Sequence, residues 1–245
     1  MSQPAPINNR PRFQAEYFIR DYRQELDRYA AVFHERIVSA FANLEEEAKR
    51  IEDETYARIG DHINPEYADP EDGMEEASHA GINFYLTTDA VRQGVFNLMT
   101  AGLYHMLEQQ AQYLATRRVI IDQITQPDGS GGLKQLQKLL KESFKIEIKS
   151  FKSWTRLNEL RLVANAIKHG DGGSSEELKL LNPNLFQNPL DPFLHIPNVP
   201  LRPLVGEGIR LNEDHFNDYK ACIVQFLDEL TVALLPVFCP SSKNT

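Results

Sequence analysis

The sequence predicts an all-α protein, and three observations carry that prediction. No proline or glycine interrupts the 48 residues between Pro11 and Gly60. Apolar residues recur at helical spacing in that stretch and in four later ones. Six of the 14 prolines fall between Asn182 and Pro203, so backbone unsuited to a helix or a central strand is concentrated in one insertion. The expected architecture is a long antiparallel helical hairpin packed with two or three further helices, plus a proline-rich irregular insertion with room for a short β-hairpin at Leu201 to Leu211. The domain limits that follow are a tail over 1–12, a helical domain over 13–173, the insertion over 174–211, a C-terminal helix over 212–236 packing on the same domain, and a tail over 237–245.

The first helix is expected between Pro11 and Gly60. Phe18, Tyr22, Leu26, Tyr29, Phe33, Ile37, Ala40, Leu44, Ala48 and Ile51 repeat with an eleven-residue period, which keeps a long helix nearly straight against its partner. Gly60 to Ala80 contains Pro65, Pro70, Gly73 and seven acids, and reads as a solvated connector without the spacing of a calcium loop. Thr88 to Ile124 is the second long helix, with a break expected near Gly94 or Gly102. Its buried face is taken as Val91, Val95, Leu98, Met99, Gly102, Leu103, Met106, Leu107 and Leu114.

Gln126 to Gly132 (QPDGSGG) lacks the lysine–serine ending of a phosphate-binding loop and is a linker. A third helix over Leu133 to Lys145 and a fourth over Lys149 to His169 follow, the latter ended by Gly170. Asn212 caps a last helix that buries Phe216, Tyr219, Ile223, Phe226, Leu230 and Leu234 and stops at Pro236.

Composition narrows the function. Of 245 residues, 42% are hydrophobic and 25% charged, which excludes collagen-like, disordered and disulfide-stapled chains. The longest apolar run, Leu230 to Phe238, is far short of the ~20 residues a membrane span requires and is broken by Pro236. Two cysteines and a polar N-terminus fit a reducing, cytoplasmic setting. No histidine has metal-ligand spacing, so neither a metal nor another cofactor is expected.

The net charge of -9 argues against a generic nucleic-acid coat, but the charge is uneven. Leu133 to His169 holds nine Lys or Arg against three Glu, a net of +6 interleaved with Phe144, Phe151 and Trp154. Lys145, Lys149, Lys152 and Arg156 are the candidate RNA-binding residues of this segment. It ends on Arg161, Asn165 and His169, spaced i, i+4 and i+8 along one side of a helix. Arginine neutralises phosphate, asparagine orients by hydrogen bond and histidine moves protons near neutral pH, so these three are the candidate catalytic set. Lys168 and Glu108 are the candidate supporting groups. The same residues also suit a helix end that only caps itself.

A long helical hairpin, Leu103 to Glu108 (LYHMLE) and the later Asn165 to Gly170 (NAIKHG) together resemble the HEPN superfamily, over roughly Phe13 to Asp171. The resemblance implies a small α-helical domain of the kind found in toxin–antitoxin, abortive-infection and CRISPR systems. It further implies a homodimer in which facing arginine-to-histidine motifs build a metal-independent ribonuclease site, with an acid such as Glu108 holding the motif residues. Asn165 and His169 match the motif's register, whereas Ala164 stands at the arginine's place and Arg161 is the nearest substitute. Two readings follow. One is an RNA-cleaving effector of phage defence or a toxin system. The other is a non-catalytic HEPN-like module that dimerises or binds a nucleotide or a partner protein.

Overall fold

The computed structural model describes residues 10–62, 70–117, 119–121, 124–170, 172–187 and 208–238. Within them the chain forms seven α-helices and no strand. These are α1 (Arg10–Val32), α2 (Leu44–His62), α3 (Pro70–Thr116), α4 (Gly132–Phe144), α5 (Trp154–His169), α6 (Gly173–Leu181) and α7 (Glu213–Phe238). The proline-rich residues 188–207, and with them most of the expected β-hairpin, lie outside the described residues.

The uninterrupted first stretch is two helices rather than one. Phe33–Val38 widens to a π-turn and Ser39–Phe41 tightens to a 3-10 turn before α2 begins. Neither glycine nor proline causes this change. The wide turn carries Phe33 into the core between Phe96 and Phe216, with ring centroids 5.1 and 4.1 Å away. His34 then reaches α7, its Nδ1 3.3 Å from Glu213 and its Nε2 2.9 Å from Asn217. The eleven-residue pattern finds the correct side of α1, where Tyr22 and Leu26 are buried, but Ala15, Ile19 and Ala30 complete the buried stripe and Phe18 and Tyr29 flank it.

The acidic connector is largely helical. Pro70 is the first residue of α3, where its missing N–H costs no hydrogen bond, and Glu71 follows at the positive end of the helix dipole. The chain therefore enters α3 eighteen residues earlier than Thr88 and leaves it at Thr116 rather than Ile124. At 47 residues the helix is ~70 Å long. It is continuous through Gly94 and Gly102. Gly102 admits the Tyr29 hydroxyl, which donates to the Met99 carbonyl at 2.8 Å.

The antiparallel hairpin is formed by α2 and the N-terminal part of α3: Gly81 lies against Ala48 and Glu52, and Tyr56 faces Met74. The rest of α3 packs with α1, α4, α5 and α7 around a core that includes Leu103, Leu136, Leu160, Phe216 and Phe226. On α7 all six residues expected inside are buried. Asn212 caps it as expected, accepting the His215 N–H at 3.0 Å. Pro236 lies inside the last turn of α7 rather than ending it.

On α3, two residues assigned to the buried face, Val91 and Leu98, are exposed. The helix instead buries Asp89, Gln93 and Asn97. Their partners all lie in Ile209–Leu211. Asn97 Nδ2 donates to the Ile209 carbonyl at 2.7 Å, Gln93 Nε2 donates to the Leu211 carbonyl at 2.8 Å, and Asp89 binds Arg210 at 2.8 Å. The side-chain amides satisfy peptide groups that have no neighbouring strand among the described residues, so this stripe is polar and inside. The Arg210 N–H also donates to the Leu185 carbonyl at 2.7 Å, which ties both ends of the insertion to the helical body.

Helix α4 begins where it touches α3 most closely. A Cβ on Gly132 would overlap the Glu108 carbonyl oxygen and lie 2.8 Å from the Gln112 nitrogen, both backbone atoms of a helix that cannot yield. Gly132→Ala should force α4 off α3 and lower stability by ~1–3 kcal/mol. Urea denaturation against wild type measures the loss, and an unchanged midpoint would contradict the close approach.

Candidate functional site

Helix α5 carries the candidate site and is held by its neighbours at its N-terminus and in its middle. At its N-terminus Glu229 of α7 accepts the Lys152 N–H at 3.0 Å, the Ser153 N–H at 3.2 Å and the Ser153 hydroxyl at 2.6 Å. Burial opposes the Glu229 charge, but the bonds from Ser153 and Lys152 outweigh it and hold the carboxyl below the usual glutamate range. A folded pKa below the unfolded one gives stability that is present above the ordinary glutamate range. That stability is lost as pH falls through the lowered folded value. Glu229→Gln should therefore cost ~1 kcal/mol at neutral pH, the scale of a lost helix cap. In denaturant melts its deficit against wild type should shrink as the solution is made acid; a deficit constant with pH would refute the assignment.

The middle of α5 is fastened by Glu159. Its Oε1 accepts from Arg156 Nη1 at 2.6 Å, Asn182 Nδ2 at 2.9 Å and the Tyr219 hydroxyl at 2.9 Å. Arg156 also pairs with Asp218 and lies 4.4 Å over the Tyr219 ring. Sequence reasoning missed this cluster, because its members come from three separate places in the chain: Arg156 and Glu159 in α5, Asn182 after α6, and Asp218 and Tyr219 in α7. Arg156 is thus engaged within the α5–α7 packing rather than set among the open lysines. Beside it, burial pushes the Cys222 thiol up to about 12, and the group donates to the Ser153 carbonyl at 3.4 Å.

Arg161, Asn165 and His169 do share one side of α5, each ~6 Å from the next along the axis. Arg161 is half-buried, with its Nε donating to Asn158 at 3.0 Å and its Nη2 4.0 Å from Glu177 of α6. Its charge is felt on the other side by Tyr104 of α3. Burial first, then the nearby Glu108, raises the Tyr104 hydroxyl pKa, and Arg161 opposes both. Glu108 accepts the Tyr104 hydroxyl at 3.3 Å and its Oε1 lies at the start of α4, 3.1 Å from where a Gly131 Cβ would be. It therefore stands near Arg161 through Tyr104 rather than in a direct ion pair. Asn165 is half-buried, and His169 and Lys168 are exposed in the last turn, which Gly170 closes with its N–H on the Ala166 carbonyl. Among the described residues neither Asn165 nor His169 has a hydrogen-bond partner, and both reach solvent. Ala164 is 0% exposed, which explains why an arginine is absent there: its guanidinium would enter the core.

The lysines lie at the other end of the same helix. Lys145 takes the left-handed position that ends α4. Lys149 lies 6.0 Å over the Trp154 ring, and Lys152 precedes α5 in the open. Lys152 and His169 are separated by the length of α5, ~25 Å. The expected continuous track is thus a basic patch before the N-terminus of α5 and a polar column along its C-terminal half, with Lys168 beside the column. Phe144, Phe151 and Trp154 are all half-buried and packed against the core.

Among the described residues no group of three His, Cys, Asp or Glu is placed to hold a metal ion, and no helix is long and apolar enough to cross a membrane. No family model, curated protein or solved structure matches the chain.

Proposed function

We propose that this protein acts on RNA as a HEPN-like, metal-independent endoribonuclease, an effector of phage defence or of a toxin system working as a cytoplasmic homodimer. The observation that supports this most is the side of α5 that leaves Asn165 and His169 unbonded in line with Arg161. In the reaction the 2′-oxygen of a ribose attacks the adjacent phosphorus and the 5′-oxygen leaves. The products are a 2′,3′-cyclic phosphate and a 5′-hydroxyl end. His169 supplies or removes the proton, Arg161 neutralises the charge that builds on the phosphoryl oxygens, and Asn165 orients the phosphate. A second copy brings a second His169, so that one imidazole serves as base and the other as acid.

The test is to incubate the purified protein with tRNA and total RNA in a chelator and map the ends formed. Cleavage that disappears in His169→Ala supports the proposal, and cleavage equal in both proteins defeats it. One observation favours a second reading: the buried Ala164 leaves the motif without its arginine, which suits a module that binds RNA, a nucleotide or a partner protein without cutting. RNA retained but intact in the same experiment selects that reading.

A further inference from the structure

Two aromatic rings are exposed side by side at a groove remote in sequence from α5. The groove runs between α1 and the C-terminal end of α3, with a volume of about 450 Å³. Tyr17 and Tyr113, 53% and 47% exposed, line it together with Phe18. Tyr113 stacks on Phe18 with ring centroids 4.8 Å apart and planes within 4°, so one ring face is supported from below while the other side of the residue meets solvent. The guanidinium of Arg20 lies 5.2 Å over the Tyr17 ring. Arg117 lines the same groove, and so do Gln14 and Asp21.

We infer that this groove binds a nucleobase, stacked on Tyr113 with its phosphate at Arg117. An apolar partner helix would find cations and a carboxylate where it needs aliphatic surface, whereas a nucleotide uses all of them. Its π-face takes the supported tyrosine, its edge takes the carboxylate of Asp21 and the amide of Gln14, and its phosphate takes the guanidinium. The volume admits one nucleotide and not a folded segment. A base held here would belong to the single-stranded RNA acted on at His169 or to a free nucleotide. The first source rests on the RNA reading above; the second does not.

The experiment follows fluorescence of 2-aminopurine, which stacking quenches, in a single-stranded RNA decamer and in the free ribonucleoside monophosphate. Quenching of both probes by wild type identifies a nucleotide site, and quenching of the decamer alone identifies an RNA subsite. Tyr113→Ala should weaken binding about five- to hundredfold. Tyr113→Phe, which keeps the ring, should bind as wild type does, and this pair separates stacking from misfolding. Quenching of the free ribonucleoside monophosphate does not depend on RNA cleavage, so the two proposals fail independently. Absence of quenching with wild type, equal binding by Tyr113→Ala, or equal loss in the Phe and Ala variants would each overturn the inference.

Discussion

Glu159→Ala should destabilise the protein by ~3–5 kcal/mol, the largest stability loss expected from a single residue outside the apolar core. The carboxylate is 7% exposed and one oxygen takes three donors from three elements: Arg156 of α5, Asn182 after α6 and Tyr219 of α7. Burial and the Glu159 charge both push the Tyr219 hydroxyl well above its ordinary range, so the hydroxyl stays protonated and donates to Glu159. Truncation to alanine strands a half-buried guanidinium, a phenol and an amide at once. Asp218 remains to Arg156 and moderates the loss, which places the expected value toward the lower end of the range. Glu159→Gln keeps the shape and one acceptor oxygen and should cost less, ~1–2 kcal/mol. Chemical denaturation of Glu159→Ala, Arg156→Ala and the double variant forms the appropriate cycle. Strong non-additivity is expected because the two groups share one desolvated site. Additive losses would show that the cluster is not a unit.

This cluster also shows where sequence reasoning stops. Periodicity located α4, α5 and α7 and named the buried face of α7 residue by residue, because in these helices the apolar stripe and the core face coincide. It failed on α3 for an equally physical reason. That helix buries Gln93 and Asn97 against the backbone of Ile209 and Leu211, and Asp89 against the Arg210 guanidinium, more than 100 residues away. A rule that sends polar residues outward therefore turns Val91 and Leu98 to the wrong side. The start of α3 was lost because Pro70 and its acids are turn signals in a loop and start signals at a helix N-terminus, and their order alone does not decide between the two. The π-turn at Phe33–Val38 left no trace in composition, and the Phe216 ring that Phe33 meets there is distant in sequence. For the site, the spacing of Arg161, Asn165 and His169 was readable on one helix. The distance between that column and the lysines was hidden by the same reasoning, because closeness in sequence stood in for closeness along a helix axis that advances only ~1.5 Å per residue.

The catalytic prediction is larger still and rests on residues that the fold does not require. His169→Ala should lower RNA cleavage about 10²- to 10⁴-fold, the usual loss of a general acid–base group, while the melting transition stays where it is. His169 is exposed and has no partner among the described residues, so its removal leaves no buried group unsatisfied, and surface changes of that kind fall within ~0.5 kcal/mol. Arg161→Ala should lower cleavage about 10²- to 10³-fold through lost transition-state charge, with a small stability cost from its bond to Asn158. The order of these effects discriminates between the two readings of Ala164. If Arg161 has taken over the phosphate from the helix turn before, its loss must reduce turnover more than RNA affinity, because its contribution grows as charge builds on the phosphorus. Equal losses in affinity and rate would make Arg161 a binding residue only. With Ala164 enclosed in the core there is then no other arginine on that side of α5 to stabilise the reaction, and the non-catalytic reading would follow from the same measurement.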